Sequence, residues 1–89
     1  MMRAEAFEHL ICKYLQRELK CRIDEIDVNR DLDELGLDSA AMIDMVGELE
    51  EKSGLELEPT LAYDFPTPKL LAEALAHLSA DARIAANHD

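Results

Sequence analysis

The stretch Glu34-Leu35-Gly36-Leu37-Asp38-Ser39-Ala40-Ala41-Met42 marks the point where a turn-forming approach ends and a helical pattern begins. Aspartate is among the residues preferred at a helix N-cap, so we expect Asp38 to cap the helix and Ser39 to lie at or next to its first position. The positive end of the helix dipole lies at the same point. The sequence therefore predicts an exposed serine hydroxyl at the amino end of a helix.

This helix is predicted to span about residues 39–53, because Gly54 provides a C-terminal stop. Its inward stripe, with Ile43 at the border, is formed by Met42, Met45, Val46 and Leu49. A second stripe is acidic and consists of Asp44, Glu48 and Glu51. Gly47 lies in the helix interior, where glycine costs about 1 kcal/mol relative to alanine. A close approach by another backbone or a ligand would explain Gly47, and simple tolerance explains it as well.

The rest of the chain predicts further helices and one long connection. A first helix at about residues 3–19 carries an apolar stripe formed by Phe7, Leu10, Ile11, Tyr14, Leu15 and Leu19. Residues 20–38 form a loop with a helical turn near 32–35, anchored on the bundle by Ile23, Ile26, Val28, Leu32, Leu35 and Leu37. A brief helix precedes Pro66, and Thr67-Pro68 starts a last helix that ends near residue 78.

These elements predict an all-α fold, an antiparallel four-helix bundle with a short third helix, formed by residues 1–78. Residues 79–89 lose large apolar side chains and are expected to form a tail or linker. With 89 residues, 48% hydrophobic and 4% aromatic, the chain is one small domain with an aliphatic core. Cys12 and Cys21 match no disulfide framework or metal-ligand pattern and are expected to be free thiols.

The formal net charge of −11 limits the classes of partner. Such a field repels nucleic acid and anionic membranes and favours proteins with basic docking surfaces. The chain contains no apolar run near the ~18 residues that a membrane span needs, and no signal-peptide core. We therefore expect a cytoplasmic monomer. Its initiating methionine favours a free-standing protein over a piece of a larger one.

Three interpretations of the segment that ends at Asp38-Ser39 can be compared from the residues alone. Ser39 could simply help to cap the helix. It could be a hydrolase nucleophile, but the glycine two residues after the serine of a nucleophile elbow is missing, and no histidine is placed as a base. An EF-hand-like calcium loop could begin at Asp27-Val28-Asn29-Arg30-Asp31, but Leu32 replaces the glycine of position six and Asp38 the glutamate of position twelve.

Two motifs resemble those of a known family. The sequence LGLDS at residues 35–39, preceded by acidic residues and followed by an acidic helix, resembles the prosthetic-group attachment site of acyl carrier proteins. The sequence LAYDFPTPKLLA at residues 61–72 is similar to the segment that joins the third and fourth helices of carrier domains from modular polyketide synthases. The resemblance covers about residues 5–78. Ala40 departs from the family, in which leucine commonly follows the modified serine.

The resemblance implies a function without catalysis. A phosphopantetheinyl transferase would transfer 4′-phosphopantetheine from coenzyme A to Ser39, next to Asp38, where the helix end favours a phosphate. The arm would then carry acyl groups as thioesters to partner enzymes with basic patches: acyltransferases, ketosynthases or adenylation-type loading enzymes. Polyketide or related acyl assembly is the expected pathway, with a fatty-acid carrier as the nearest variant.

The sequence also leaves two alternative functions open and predicts a docking surface on the acidic helix. A peptidyl carrier of nonribosomal peptide synthesis is one alternative, and an EF-hand-like divalent-cation-binding interaction module is the alternative from a different class. Because charge attraction raises encounter rates, docking is assigned to the acids Asp44, Glu48 and Glu51, with Met45 and Val46 as apolar contacts.

Overall fold

The structure is a computed structural model that describes residues 2–86, with side chains described through residue 82. Its helical elements are α1 (Ala4–Leu19), a 3-10 turn (Ile23–Glu25), α2 (Leu32–Leu35), α3 (Ser39–Ser53), α4 (Leu61–Asp64) and α5 (Pro68–Ala86). No strand occurs within residues 2–86. The predicted helical bundle, with α4 as its short third helix and α2 as a turn within the loop, is confirmed.

One mainly aliphatic core, which also contains Phe7 and Tyr14, holds these elements together. Its fully buried side chains come from α1 (Phe7, Ile11, Leu15), the loop turn (Leu32), α3 (Met45, Val46) and α5 (Leu71, Leu75). Burying an aliphatic side chain of this size contributes roughly 1.5–3 kcal/mol, so a core of this composition needs no disulfide or metal. Helix α1 lies mainly against α5, and it also contacts α3. Helix α3 buries one side in this core, and its other side, which includes Ser39, Ile43 and Gly47, is the exposed wall of α3.

The loop before α3 is anchored by some of its predicted apolar side chains. Leu32 and Leu37 are buried in the core, and Ile26 and Leu35 pack against it. Ile23 is 38% exposed, so the expectation that it anchors the loop was wrong. It lies in the 3-10 turn, which is closed by a bond from the Arg22 N–H to the Glu25 carboxylate (3.0 Å) and does not depend on burial of Ile23.

Helix α5 is longer than the sequence pattern predicted. It continues to Ala86, whereas the loss of large apolar residues suggested an end near residue 78. Residues 79–86 contain four alanines and neither glycine nor proline, so strong helix formers extend the helix where the apolar stripe ends. The backbone of residues 79–86 is therefore helical, and the last three residues of the predicted tail, 87–89, lie outside the described residues.

Candidate functional site

The amino end of α3 is capped by Asp38 rather than by Ser39. The Asp38 carboxylate accepts a hydrogen bond from the N–H of Ala41 (2.8 Å), and its carbonyl accepts one from the N–H of Met42 (2.9 Å). Ser39 is the first helical residue and is exposed. Within residues 2–86 its hydroxyl is not used in any hydrogen bond. The structure therefore separates the capping role, which belongs to Asp38, from an accessible hydroxyl at Ser39.

The residues that precede Ser39 form a tight, anchored turn. Gly36 has a positive φ of 114°, a conformation that glycine adopts without steric cost. A β-carbon at this position would also lie 3.2 Å from the Leu19 side chain. Leu37 donates its N–H to the carbonyl of Leu32 (3.0 Å), and both leucines are buried. Within three residues the motif therefore provides a buried anchor (Leu37), a helix cap (Asp38) and an exposed hydroxyl (Ser39).

The second motif is hydrogen-bonded to the loop that leads into the first motif. The N–H of Leu32 donates to the carbonyl of Pro66 (2.8 Å), and the N–H of Lys69 donates to the carbonyl of Val28 (3.0 Å). Thr67, which is buried, accepts a bond from the N–H of Leu70 (3.1 Å) through its hydroxyl and starts α5 as predicted. The bonded residues are 34 and 41 positions apart in sequence, so the loop before α3 and the segment at the start of α5 form one structure.

A cavity of about 380 Å³ opens beside Ser39, between the start of α3 and the segment that contains α4. Apolar side chains, including Leu37, Met42 and Tyr63, form part of its wall, and acids such as Asp31 and Asp33 also line it. None of the described residues that line it is a histidine, so it offers no imidazole base to a serine nucleophile. The geometry therefore gives no support to a hydrolase.

The acids of α3 differ in their contacts. Asp44 accepts a hydrogen bond from the Tyr14 hydroxyl (2.7 Å), which also lies 3.1 Å from the carbonyl of Ala41. Glu48 accepts two bonds from the Arg17 guanidinium (2.6 and 2.8 Å). Glu51 is exposed and forms no ion pair or hydrogen bond with any residue between 2 and 82. Part of the predicted acidic docking stripe therefore joins α3 to α1.

The apolar part of the predicted docking set is wrong. Met45 is fully buried and Val46 is 1% exposed, so both belong to the core and neither can touch a partner. Ile43, which the sequence placed only at the border of the inward stripe, is 45% exposed. The spacing of Ser39, Ile43 and Gly47 at i, i+4 and i+8 was the available sign that these residues share the outer side of α3.

Tyr14 and Cys12 are the buried ionisable side chains of α1. Burial, and then the hydrogen bond to Asp44, raises the pKa of Tyr14 above its ordinary value of 10.0. Burial, and then the nearby Glu8, raises the pKa of the Cys12 thiol. Both groups stay protonated at neutral pH. Cys12 is therefore a packing residue rather than a reactive thiolate.

The calcium alternative has no structural support. The loop at Asp27 forms a local turn, in which the Asp27 carboxylate accepts a bond from the N–H of Asn29 (3.0 Å). The last predicted ligand, Asp38, is used as the helix cap. Among the described residues, no group of three His, Cys, Asp or Glu side chains is arranged to hold a metal ion.

None of the helices within the described range is long and apolar enough to cross a membrane.

Comparisons with known proteins agree with the geometry. Residues 9–75 match the family model described as the phosphopantetheine attachment site. The chain is 36% identical over 74 residues to polyketide synthase PksM of Bacillus subtilis, a match that covers 83% of this chain and 2% of the synthase. The chain therefore spans a small fraction of the length of that relative.

Two solved structures share the fold. A free-standing peptidyl carrier protein from an uncharacterized secondary metabolic pathway of Acinetobacter baumannii matches with a TM-score of 0.79 and 33% identity, covering 84% of this chain and 94% of that one. The HMG-ACPI domain of the CurA module from Lyngbya majuscula matches with a TM-score of 0.77 and 25% identity, covering 90% of this chain and 82% of that one.

Proposed function

The chain belongs to the phosphopantetheine-attachment family of carrier domains, and from that premise we propose that the hydroxyl of Ser39 is the attachment point of its 4′-phosphopantetheine group. A carrier domain is a non-catalytic tether, and its prosthetic group supplies the thiol on which cargo is held as a thioester. The observation that carries the proposal is the exposed, uncommitted Ser39 hydroxyl at the first position of α3.

The residues around Ser39 fit the prosthetic group. The N–H groups of Ser39 and Ala40 have no acceptor among the described residues, so they remain available to a phosphodiester at the helix end. Asp38 already occupies the N–H of Ala41 and holds the first turn in place. The adjacent cavity offers Leu37, Met42 and Tyr63 to the less polar part of the arm. The chain thus supplies orientation and partial shelter, and no catalytic group.

Intact-mass spectrometry tests the attachment site. We expect the purified chain, incubated with coenzyme A and a broad-range phosphopantetheinyl transferase, to gain one phosphopantetheine unit. Ser39→Ala should gain none, while Ser53→Ala, a matched change at the other end of α3, should be modified like the wild type. Modification of Ser39→Ala, or none in the wild type, would refute the assignment.

For the cargo, we propose polyketide or related acyl assembly, because several polyketide synthases are among the relatives. Peptidyl transport is the second candidate, since a solved peptidyl carrier protein matches most of both chains. Loading of the modified chain separates the two. Acylation by an acyltransferase from an acyl-coenzyme A supports the first candidate, and aminoacylation by an adenylating enzyme supports the second.

For docking, we propose that partner enzymes with basic patches approach the exposed wall of α3, using Glu48, Glu51 and, more weakly, the partly engaged Asp44. Ile43 replaces Met45 and Val46 as the apolar contact, because it is the exposed one. We also propose that residues 1–78 suffice for modification, because the residues that form the site end at the start of α5. Residues 79–89 then serve as a tail or linker.

A further inference from the structure

The first turn of α3, which presents Ser39, is made mostly of small side chains. Ser39, Ala40 and Ala41 open the helix, and Met42 is its first large apolar residue. Ser39 and Ala40 are exposed, so they add no packing to the core. The apolar area that a residue buries scales with its size, and an alanine buries little. The position of Ser39 therefore depends strongly on the hydrogen bonds of this turn.

Ala41 is hydrogen-bonded from two directions. Its N–H donates to the Asp38 carboxylate (2.8 Å), which is a bond within the same segment. Its carbonyl accepts a bond from the hydroxyl of Tyr14 on α1 (3.1 Å), 27 positions earlier in the chain. The same hydroxyl donates to the Asp44 carboxylate (2.7 Å), so its single proton is shared between two acceptors on α3. Tyr14 thus holds the beginning of α3 from outside the helix.

Tyr14 is itself held in one place. It is 3% exposed and belongs to the core cluster, and the Arg17 guanidinium lies 5.4 Å from the centre of its ring. Burial, and then the hydrogen bond to Asp44, raises the pKa of Tyr14, so the hydroxyl keeps its proton at neutral pH. A residue this buried has no surface to offer to a partner enzyme. Its effect on a reaction at Ser39 must therefore pass through α3.

Tyr14 provides the link between α1 and α3 that lies nearest to Ser39. Within residues 2–82, the side-chain hydrogen bonds between these two helices come from Tyr14 and Arg17. Arg17 bonds Glu48, nine residues after Ser39, in an exposed ion pair of the kind that contributes little to stability. The two acceptors of Tyr14 follow Ser39 by two and five residues, which is about 3 Å and about 8 Å along the helix axis. Loss of the Tyr14 hydroxyl would therefore loosen α3 mainly at the end that carries Ser39.

The rate of transfer to Ser39 depends on where its oxygen lies. In that reaction Oγ forms a bond to the phosphorus that carries pantetheine. The bond from that phosphorus to the adenosine bisphosphate of coenzyme A breaks, and the hydroxyl proton passes to a base. Alignment supplies much of the rate in such steps, and a displacement of about 1 Å can cost roughly 100-fold. Because the chain contributes the nucleophile, the rigidity of the first turn of α3 enters the rate.

We propose that Tyr14 is a positioning residue for the transfer to Ser39. From α1, its hydroxyl fixes the first turn of α3 through the Ala41 carbonyl and the Asp44 carboxylate, and so holds the Ser39 oxygen in one place for attack. Tyr14 touches neither coenzyme A nor the reacting atoms. This inference rests on the proposed attachment to Ser39 and adds a buried residue of another helix to the groups that the reaction needs.

Tyr14→Phe tests the proposal, since it removes one oxygen and keeps the ring in the core. With a broad-range transferase and saturating coenzyme A, we expect kcat for modification to fall about fivefold, because a loosened turn aligns the Ser39 oxygen less often. KM for the chain should stay within about twofold of the wild-type value, since Tyr14 is buried and the exposed acids Glu48 and Glu51 are unchanged.

Ile11→Val is the matched control on the same helix. Ile11 is fully buried one turn before Tyr14, so the loss of a methylene group lowers the thermal midpoint without removing a hydrogen bond of α3. Its kcat should equal that of the wild type. Equal kcat values in the two variants would refute the role of Tyr14 alone. If the wild type is not modified at Ser39, the proposed function fails and this role fails with it.

Amide hydrogen exchange of the unmodified chain reads the turn directly, without the transferase. In Tyr14→Phe the N–H of Ala41 should exchange about threefold faster relative to that of Leu75, whose exchange in α5 follows opening of the core. In Ile11→Val this ratio should keep its wild-type value. A ratio that does not change in Tyr14→Phe would show that the hydroxyl does not hold the turn, and the positioning role would be overturned.

Discussion

Residues 38 and 39 are neighbours with separate tasks, because the Asp38 carboxylate closes the first turn of α3 while the Ser39 hydroxyl faces solvent. We predict that Asp38→Ala destabilises the chain by about 1 kcal/mol, since the N–H of Ala41 loses its acceptor. Modification should also slow, because the first turn frays. Urea unfolding and modification rates measure the two effects.

Asp38→Asn keeps an acceptor oxygen and should recover most of the stability. Asp64→Ala removes an exposed carboxylate from α4 and should change neither quantity appreciably. If Asp38→Ala were as stable as Asp64→Ala, the bond from Ala41 to Asp38 would contribute nothing to α3.

Tyr14 is the second residue whose chemistry is set by its position. Its side chain is 3% exposed, and its hydroxyl donates to Asp44. We predict that Tyr14→Phe costs about 1–2 kcal/mol at pH 7, because a hydrogen bond to a charged group is lost and the carbonyl of Ala41 loses a partner. Tyr63→Phe, at an exposed tyrosine, is the matched control and should cost little.

The pH dependence of stability gives a second readout for Tyr14. Its pKa in the folded chain is raised above the unfolded value near 10, so the folded state holds the proton more tightly. The stabilisation from this group is complete below pH 10 and is lost as the pH rises above it. The unfolding free energy of Tyr63→Phe should therefore fall more steeply between pH 9.5 and 11.5 (about two units) than that of Tyr14→Phe. Parallel curves would contradict this.

At the scale of helices, sequence predicts a boundary well where a capping side chain or a glycine ends the helix locally. Helix α3 runs from Ser39 to Ser53 as expected, because Asp38 supplies a side-chain cap and Gly54 takes the left-handed conformation (φ 75°) at its end. The end of α5 has no such stop. Its extension to Ala86 depends on the helix preference of alanine, which a search for apolar periodicity does not detect.

The inward stripe of α3 was predicted correctly, but the apolar docking contact was not, because Met45 and Val46 were assigned to docking as well. Met45, Val46 and Ile43 are all large and apolar, so composition alone cannot say which one the bundle leaves outside. The neighbours decide it, since α3 contacts α1 and α4, Met45 and Val46 are buried in the shared core, and Ile43 is left exposed. In the same way, the partners of Asp44 and Glu48 on α1 depend on tertiary packing, which one sequence does not reveal.

The contact between α1 and α3 limits the access of a basic partner to the Glu48 carboxylate, and this can be tested. Arg17 holds Glu48 and lies 5.4 Å from the centre of the Tyr14 ring, yet it is largely exposed. Glu48 also lies 3.9 Å from the Lys52 ammonium. We predict that Arg17→Ala removes the shorter ion pair of Glu48, makes its carboxylate more accessible to a basic partner and raises kcat/KM for modification on the order of twofold at low salt. Stability should fall only slightly, because exposed ion pairs contribute little.

Arg22→Ala is the matched control for that experiment. It removes the same charge from an exposed pair with Asp24, in the loop rather than at α3. A general effect of net charge would raise the rate equally in both variants. If the released Glu48 carboxylate is the cause, the modification rate should rise in Arg17→Ala alone. A lower rate in Arg17→Ala would contradict the prediction and show that Arg17 itself contacts the partner.

At the scale of the whole molecule, the net charge of −11 acts on every encounter. Long-range attraction to a basic partner speeds association and is screened by salt, with a Debye length near 10 Å at 0.1 M. We predict that kcat/KM for modification falls about tenfold between ~20 mM and ~500 mM salt. The decrease should appear in KM, because the geometry at Ser39 does not depend on ionic strength.

Two charge-matched double variants separate the field of the whole molecule from the acids of α3. Glu48→Gln with Glu51→Gln removes two charges from the outer side of α3, and Glu5→Gln with Glu73→Gln removes two from a groove between α1 and α5. Because both pairs reduce the net negative charge by the same amount, any difference between their salt slopes is local. We expect the first pair to flatten the dependence markedly and the second to leave it close to the wild-type slope. Equal slopes in the two variants would mean that partners respond to the total charge and that α3 has no special part in docking.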